Sequence, residues 1–186
     1  MSNNVDMNLN QITTIFFDVD GIFTDGGLYL SDSGVKMTKF NVHDGMGCIL
    51  LKEVGIELLI LTARHSDSVI ERFKDLGLNK IFTKVLKKRD FIREYSKSNN
   101  LPKKELAMMG DDLQDLAAIE EVGVFFTTPN AIDIVKNGAH YITKRFGGDG
   151  AVREICDLII RSKGSNSSIE FERYIQKGKK DANIKI

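Results

Sequence analysis

Two aspartates directly follow the first apolar run of the chain, in the stretch FFDVDGIF at residues 16–23. Burying a carboxylate costs several kcal/mol unless it is paired or bound to a cation. Residues i and i+2 of an extended chain point the same way, so Asp18 and Asp20 are expected to face one pocket, with Gly21 letting the backbone turn away after them. This pair therefore indicates a site that binds a cation.

Further polar groups come after later apolar runs or at the start of the next predicted helix. They are Thr62 and Arg64 in LTAR, Lys88 in KKR, and Gly110, Asp111, Asp112 and Asp115 in GDDLQD. Several carboxylates in one pocket repel one another, and their pKa values rise unless a cation compensates them. A few oxygen ligands completed by water are what Mg²⁺ prefers, so we expect Mg²⁺ here.

The residue types then predict phosphoryl transfer, which needs mainly positioning and charge neutralisation. With the metal bound, Asp18 can stay ionised as a nucleophile. Thr62 and Lys88 can hold phosphoryl oxygens, and Asp20 can protonate the leaving oxygen and later activate water. Two points stay open: Lys88 lies within a short basic run, and Asp112 and Asp115 are also suited to cap the following helix.

The elements that must position these residues alternate along the chain. Apolar runs without polar alternation, typical of strands covered on both faces, occupy residues 12–19, 56–62, 105–110, 123–127 and 140–143. Amphipathic segments lie between them, for example at residues 66–77 and 151–164. This alternation predicts a single α/β domain over residues 1–186, with a doubly wound (Rossmann-like) parallel sheet and helices on both faces. Ligands bind such sheets at the carboxyl ends of the strands, where the polar groups converge.

Two segments depart from the alternation. Residues 26–42 are typical of a β-hairpin around a turn at Ser31 to Gly34, inserted after the first strand. Residues 164–186 form a polar tail rich in Lys and Ser. For this tail we expect either one short helix around Ile169 to Ile175 or a segment that needs a partner to become ordered.

Composition excludes several classes of protein. The 26 basic and 26 acidic residues balance, which removes the basic footprint of a nucleic-acid binder and gives no reason to expect binding to a membrane surface. No apolar run approaches the roughly 18 residues of a membrane span, and the first residues show no cationic apolar leader. Cys48 and Cys156 are expected to be buried thiols. We therefore expect a cytoplasmic protein.

The order D-x-D-G, then Thr, then Lys, then G-D-D-x-x-D strongly resembles the haloacid dehalogenase superfamily of phosphohydrolases. The resemblance implies an aspartyl-phosphate at Asp18 and a general acid and base at Asp20. Phosphate would be bound by Thr62 and Lys88. Mg²⁺ would be held by Asp18, the backbone carbonyl of Asp20 and Asp111, with Gly110, Asp112 and Asp115 in support.

The resemblance narrows to one family. The motifs are too closely spaced to admit a cap domain, and the hairpin, FNVHDGMG at 40–47, GGDGAVRE at 147–154 and the tail all resemble 3-deoxy-D-manno-octulosonate 8-phosphate (KDO 8-phosphate) phosphatases. That family implies a homotetramer in which a neighbouring subunit covers the open site, and a place in lipopolysaccharide precursor synthesis. The substrate contacts it implies are Asn41, Val42, His43, Asp44, Gly45, Arg64, Arg72 and Lys88.

Three positions depart from the family pattern, because His43, Ile49 and Asp149 stand where basic residues are usual. A related phosphatase of a nine-carbon sugar-acid 9-phosphate (sialate or KDN type) is therefore an alternative. Two further alternatives belong to other classes, a phosphoryl-accepting receiver-like signalling domain and an inactive oligomerisation module. A receiver domain is disfavoured because receivers carry their acidic pair early and a lone phosphoacceptor in mid-chain, whereas here the D-x-D motif comes first and the second acidic cluster comes late. An inactive module is disfavoured because Asp18, Asp20, Lys88 and Asp111 are all present.

Overall fold

A central parallel sheet organises the chain in a computed structural model that describes residues 7–181. The strands are β1 (Thr14–Phe17), β2 (Tyr29–Leu30), β3 (Lys36–Met37), β4 (Glu57–Leu61), β5 (Ile81–Phe82), β6 (Leu106–Met109), β7 (Val124–Thr127) and β8 (Tyr141–Ile142). Six of them form one sheet in the order β5-β4-β1-β6-β7-β8, with every neighbouring pair parallel. β1, the first strand of this sheet, therefore lies at its centre.

Helices cover both faces of the sheet. They are α1 (Val42–Glu53), α2 (Asp67–Asp75), α3 (Lys88–Ser98), α4 (Leu113–Leu116), α5 (Asp133–Gly138), α6 (Ala151–Ser162) and α7 (Ser167–Asp181). Alternate residues of β1 enter different cores: Ile15 and Phe17 pack in the cluster that includes residues of α1 and α6. Phe16 packs in the other cluster, with residues of α3 and α5. The predicted doubly wound α/β fold is confirmed.

The predicted strands are all present, but one strand escaped prediction. β5 has only two residues, both half-buried, so it left no apolar run to detect. The hairpin is also shorter than expected: its arms are β2 and β3, two antiparallel residues each, joined by a turn in which Gly34 N–H donates to the carbonyl of Ser31 at 2.9 Å. Within residues 7–181 no cap domain interrupts the sheet.

The tail folds back as a helix. α7 has 15 residues, so it is longer than the short helix expected at 169–175. It packs against α1, where Lys177 pairs with Glu53, and Ser167 Oγ donates to Asp157 of α6 at 2.5 Å. None of the helices in the described part of the chain is both long and apolar enough to cross a bilayer.

Candidate active site

Asp18 lies at the carboxyl end of the central strand. Its backbone N–H donates to the carbonyl of Met109 at 3.0 Å, which continues the pairing of β1 with β6 by one residue. Its side chain is almost fully buried, with 8% of the residue exposed. This pairing brings Asp18 beside the start of the GDD motif, as the sequence predicted.

Lys88 is the basic group that reaches Asp18. Its ammonium lies 2.7 Å from Asp18 Oδ1 and 2.5 Å from Asp115 Oδ1, and the residue is 2% exposed. Its neighbours in the basic run point elsewhere, since Lys87 is exposed and Arg89 pairs with the surface Glu120 and Glu121. Among these three basic residues, only Lys88 contacts the buried carboxylates.

Three carboxylates lie together without enough positive charge to balance them. Oxygen atoms of Asp18, Asp111 and Asp115 all lie within 4.8 Å of one another. Burial, followed by repulsion from Asp115, raises the pKa of Asp18 to about 7, although Lys88 opposes the rise. Burial and repulsion from Asp18 and Asp115 likewise raise the pKa of Asp111 to about 7. A negatively charged cluster of carboxylate oxygens of this kind fits a hard divalent cation.

Lys88 stays protonated in this setting. Burial alone would lower the pKa of its ammonium, but the carboxylates of Asp115 and Asp18 outweigh that effect and raise the pKa above its usual value. One ammonium among three carboxylates leaves a net negative pocket.

Asp112 and Asp115 differ in how they fill the capping and site roles that the sequence left open. Asp112 Oδ1 accepts from Leu113 N–H at 2.7 Å, so this exposed side chain caps α4. Asp115 Oδ2 accepts from the N–H groups of Asp111 and Asp112 at 3.0 and 3.2 Å, while its other oxygen pairs with Lys88. A Cβ at Gly110 would lie 2.2 Å from Cβ of Asp115, so only glycine allows this close approach. Asp115 therefore serves the helix and the site together.

Asp20, Thr62 and Arg64 lie at the mouth of the site. Thr62 is buried, and its Oγ1 accepts from the N–H of Arg64 at 3.2 Å. The guanidinium of Arg64 lies 3.6 Å from Oδ2 of the half-exposed Asp20. All three residues line a cavity of about 470 Å³ between the hairpin and the start of α2.

The predicted substrate segment at residues 41–45 is the start of α1 and does not line this cavity. Asn41 caps the helix, because its Oδ1 accepts from His43 N–H at 2.8 Å, and the side chains of Val42 and His43 are exposed. Asp44 is buried and accepts from Gly150 and Arg153 N–H groups, at 3.3 and 2.8 Å, at the beginning of α6.

Arg72, on α2, packs beside this segment, since a Cβ at Gly45 would lie 2.7 Å from its guanidinium. The cavity lining does not include Arg72 either. Substrate contacts of residues 41–45 and of Arg72 thus stay predictions, and the Asp44 carboxylate is already engaged in holding α6.

Some residues at the site were missed from the sequence. His65 lines the cavity, with Nδ1 at 3.2 Å from Thr83 Oγ1 and Nε2 at 3.3 Å from Asp67. Asn130, just after β7, donates to the carbonyl of Gly21 at 3.1 Å. Both follow the rule that polar residues after a parallel strand face the site edge, which was the available signal.

Comparison with known proteins agrees with this geometry. A family model described as haloacid dehalogenase-like hydrolase matches residues 77–155. The 3-deoxy-D-manno-octulosonate 8-phosphate phosphatase KdsC of Haemophilus influenzae is 33% identical over 159 residues, which cover 86% of this chain and 88% of the relative.

Solved structures show the same likeness. The phosphatase of that name from Moraxella catarrhalis, solved with magnesium, phosphate and KDO, superposes with a TM-score of 0.84 at 33% identity, covering 95% of this chain and 99% of that one. The one from Yersinia pestis gives a TM-score of 0.82 at 31% identity, covering 87% and 88% of the two chains. The chain belongs to the KDO 8-phosphate phosphatase family of haloacid dehalogenase-like hydrolases.

Proposed function

We propose that this protein is a Mg²⁺-dependent phosphomonoester hydrolase that releases phosphate from KDO 8-phosphate in lipopolysaccharide precursor synthesis. The observation that carries the proposal is the buried Asp18, held by Lys88 within a cluster of carboxylates at the centre of the sheet edge. The Moraxella catarrhalis relative, which holds magnesium, phosphate and KDO, supports the same reaction.

The acidic cluster provides the oxygen ligands for the cation. Asp18, Asp111 and the backbone carbonyl of Asp20 would hold Mg²⁺, and Asp115 would orient Asp111 through its backbone N–H. When bound, the cation neutralises the cluster and the phosphoryl oxygens. A nearby positive charge also favours the ionised form of Asp18, whose pKa is about 7 without it.

Asp18 then acts as the nucleophile. Its carboxylate oxygen attacks phosphorus, an O–P bond forms, and the bond between phosphorus and the sugar oxygen breaks. Lys88 and Thr62 bind non-bridging oxygens, and Asp20 gives its proton to the departing sugar oxygen. Asp20 next takes a proton from water, which attacks the aspartyl-phosphate and releases phosphate and the free Asp18 carboxylate.

The sugar acid would occupy the cavity beside Asp20. Arg64, Lys36 and His65 line it and can pair with the carboxylate of the sugar. The positions of His43, Ile49 and Asp149 leave a second candidate substrate open, a nine-carbon sugar-acid 9-phosphate. The observation in its favour is that none of these three residues carries the permanent positive charge usual in the family.

Assembly and location belong to the same proposal. Leu28, Leu30, Val35 and Met37 of the hairpin are 55–67% exposed, an apolar surface suited to burial between subunits of a homotetramer. Sedimentation equilibrium should therefore give the mass of four chains; the mass of a single chain would contradict this assembly. The free, buried Cys48 and Cys156 suit the reducing cytoplasm.

Phosphate release from the two sugar phosphates tests the function directly. KDO 8-phosphate and a nine-carbon 9-phosphate are compared with Mg²⁺ present and with Asp18→Asn as the blank. Preference for the first supports the proposal, and preference for the second reassigns the substrate. A stable phosphoryl group on Asp18 without turnover would instead point to a receiver-like role. Absence of both phosphorylation of Asp18 and phosphate release would point to an inactive module.

A further inference from the structure

Four N–H groups of the loop that carries Asp20 have their partners within the loop. The N–H groups of Ile22, Phe23 and Thr24 all donate to the carbonyl of Val19, at 3.2, 2.9 and 3.2 Å. The N–H of Gly21 donates to Oγ1 of Thr24 at 3.2 Å. The carbonyl of Gly21, by contrast, takes its partners from distant parts of the chain.

Asn130 is the principal partner of that carbonyl. Its Nδ2 donates to Gly21 O at 3.1 Å, whereas Thr128 Oγ1 is at the longer distance of 3.5 Å. The other end of the same amide, Oδ1, accepts from Gly147 N–H at 2.8 Å. A single side chain therefore joins the Asp20 loop, the end of β7 and the Gly-Gly turn before α6.

The loop fits tightly between the acidic cluster and this turn. A Cβ on Gly21, whose φ is +77°, would lie 1.9 Å from Oδ2 of Asp111, and a Cβ on Gly147 would lie 1.8 Å from the carbonyl of Gly21. Gly148 N–H also donates to the carbonyl of Ile22 at 3.0 Å. The peptide after Asp20 is consequently packed against Asp111 on one side and the turn on the other.

We propose that Asn130 is a positioning residue for the phosphatase reaction: its amide fixes the Gly21 peptide and thereby the direction of the adjacent Asp20. This inference rests on the proposed function. An amide side chain offers a donor for a carbonyl and an acceptor for an N–H from one planar group. Asn130 acts on Asp20 through the backbone, since both of its amide contacts are with backbone groups, the carbonyl of Gly21 and the N–H of Gly147.

Three variants test this role. Asn130→Ala removes both bonds, and Asn130→Asp keeps the acceptor for Gly147 N–H. Asn99→Ala is the matched control, because Asn99 also donates its amide to a backbone carbonyl, that of Tyr95 at 2.8 Å, but at the end of α3. Each is assayed for kcat and KM with the preferred sugar phosphate, and for hydrogen exchange of the amides at residues 19–25.

Small errors in the placement of catalytic groups cost much of the rate, so we expect Asn130→Ala to lower kcat by about tenfold or more with KM changed less than about threefold. We expect faster exchange in the loop for both Asn130 variants, no rescue of kcat by Asn130→Asp because it loses the donor to the Gly21 carbonyl, and a control equal to the wild type. A kcat within about twofold of wild type for Asn130→Ala, or an equal loss in the control, overturns the proposal.

The exchange measurement separates this inference from the proposed function. If the wild type releases no phosphate from either sugar phosphate, the function fails, and loop exchange alone decides the role of Asn130. Faster exchange at residues 19–25 in Asn130→Ala but not in Asn99→Ala then supports the positioning role of Asn130, and unchanged exchange refutes it.

Discussion

Replacing Lys88 with Met removes the one ammonium that contacts Asp18 and Asp115 in the described structure. The methionine side chain has a similar length and is apolar, so packing is largely kept while the charge is lost. Lys88 is 2% exposed, and water cannot replace its contacts without opening the site. The raised pKa of Lys88 keeps the wild-type ammonium charged throughout the neutral range.

The size of the effect follows from burial. Removing one partner of a buried ion pair leaves an uncompensated charge and typically costs about 3–5 kcal/mol. Here two carboxylates, at 2.7 and 2.5 Å from the ammonium, lose their partner at once. Part of the cost is relieved when Asp18 takes up a proton, since its pKa of about 7 would rise further without Lys88. We therefore expect the free energy of unfolding to fall by about 3 kcal/mol at neutral pH.

Urea-induced unfolding in EDTA measures this loss without interference from bound metal. Lys87→Met is the matched control, because Lys87 is the preceding residue and is exposed, and we expect it to change stability by less than about 0.5 kcal/mol. Adding Asp115→Asn to Lys88→Met should recover part of the loss, since one buried charge is then removed. A loss below about 1 kcal/mol for Lys88→Met would refute the view that the ammonium balances the buried cluster.

Four other predictions concern pH, the acidic cluster, the α6 cap and the tail. Asp18 and Asp111 have pKa values raised to about 7 in the folded protein. In EDTA their contribution to the free energy of unfolding is therefore complete below about pH 4 and is lost as the pH rises through 7. Mg²⁺ should then raise the melting temperature more at about pH 8 than at about pH 5, and an equal rise at the two pH values would contradict this. Asp112→Ala should lower the free energy of unfolding in urea by about 1 kcal/mol and leave kcat largely unchanged, because Asp112 caps α4. Asp111→Ala should abolish phosphate release. Equal kinetic losses in the two variants would be inconsistent with separate capping and metal roles. Asp44→Ala should lower stability by about 1–2 kcal/mol through loss of the α6 cap, and an unchanged unfolding midpoint would argue against that cap. Truncation after Gly164 should change turnover by altering the cover of the site; unchanged kinetics would remove the tail from the mechanism.

The site could be predicted from the sequence because its residues follow strands directly. Asp18, Thr62 and Asp111 each come at the carboxyl end of an apolar run, and the parallel fold brings such ends together. The sequence left open which residue of the basic run reaches the buried carboxylates and which roles Asp112 and Asp115 have. Local sequence does not show which member of a basic run turns inward, or whether a carboxylate caps a helix, contacts the site or does both.

Other features depend on contacts between distant residues. Asp44 accepts from Arg153, which is 109 positions later, and Asn130 donates to Gly21, which is 109 positions earlier. Neither contact follows from propensity or periodicity. The sequence did not predict β5 for a different reason, because a two-residue strand at the sheet edge carries too little hydrophobic pattern. The length of α7 was underestimated, and its packing against α1 is a contact between distant parts of the chain.

In the proposed reaction Asp18 attacks phosphorus. The most direct test is phosphate release from KDO 8-phosphate with Mg²⁺, comparing the wild type with Asp18→Asn, which keeps the size of the side chain and removes its nucleophilic oxygen. We expect the variant to fold and to lose activity by at least about 10³-fold, the scale seen when a covalent nucleophile is removed. A folded Asp18→Asn variant that releases phosphate at near wild-type rate would contradict the mechanism.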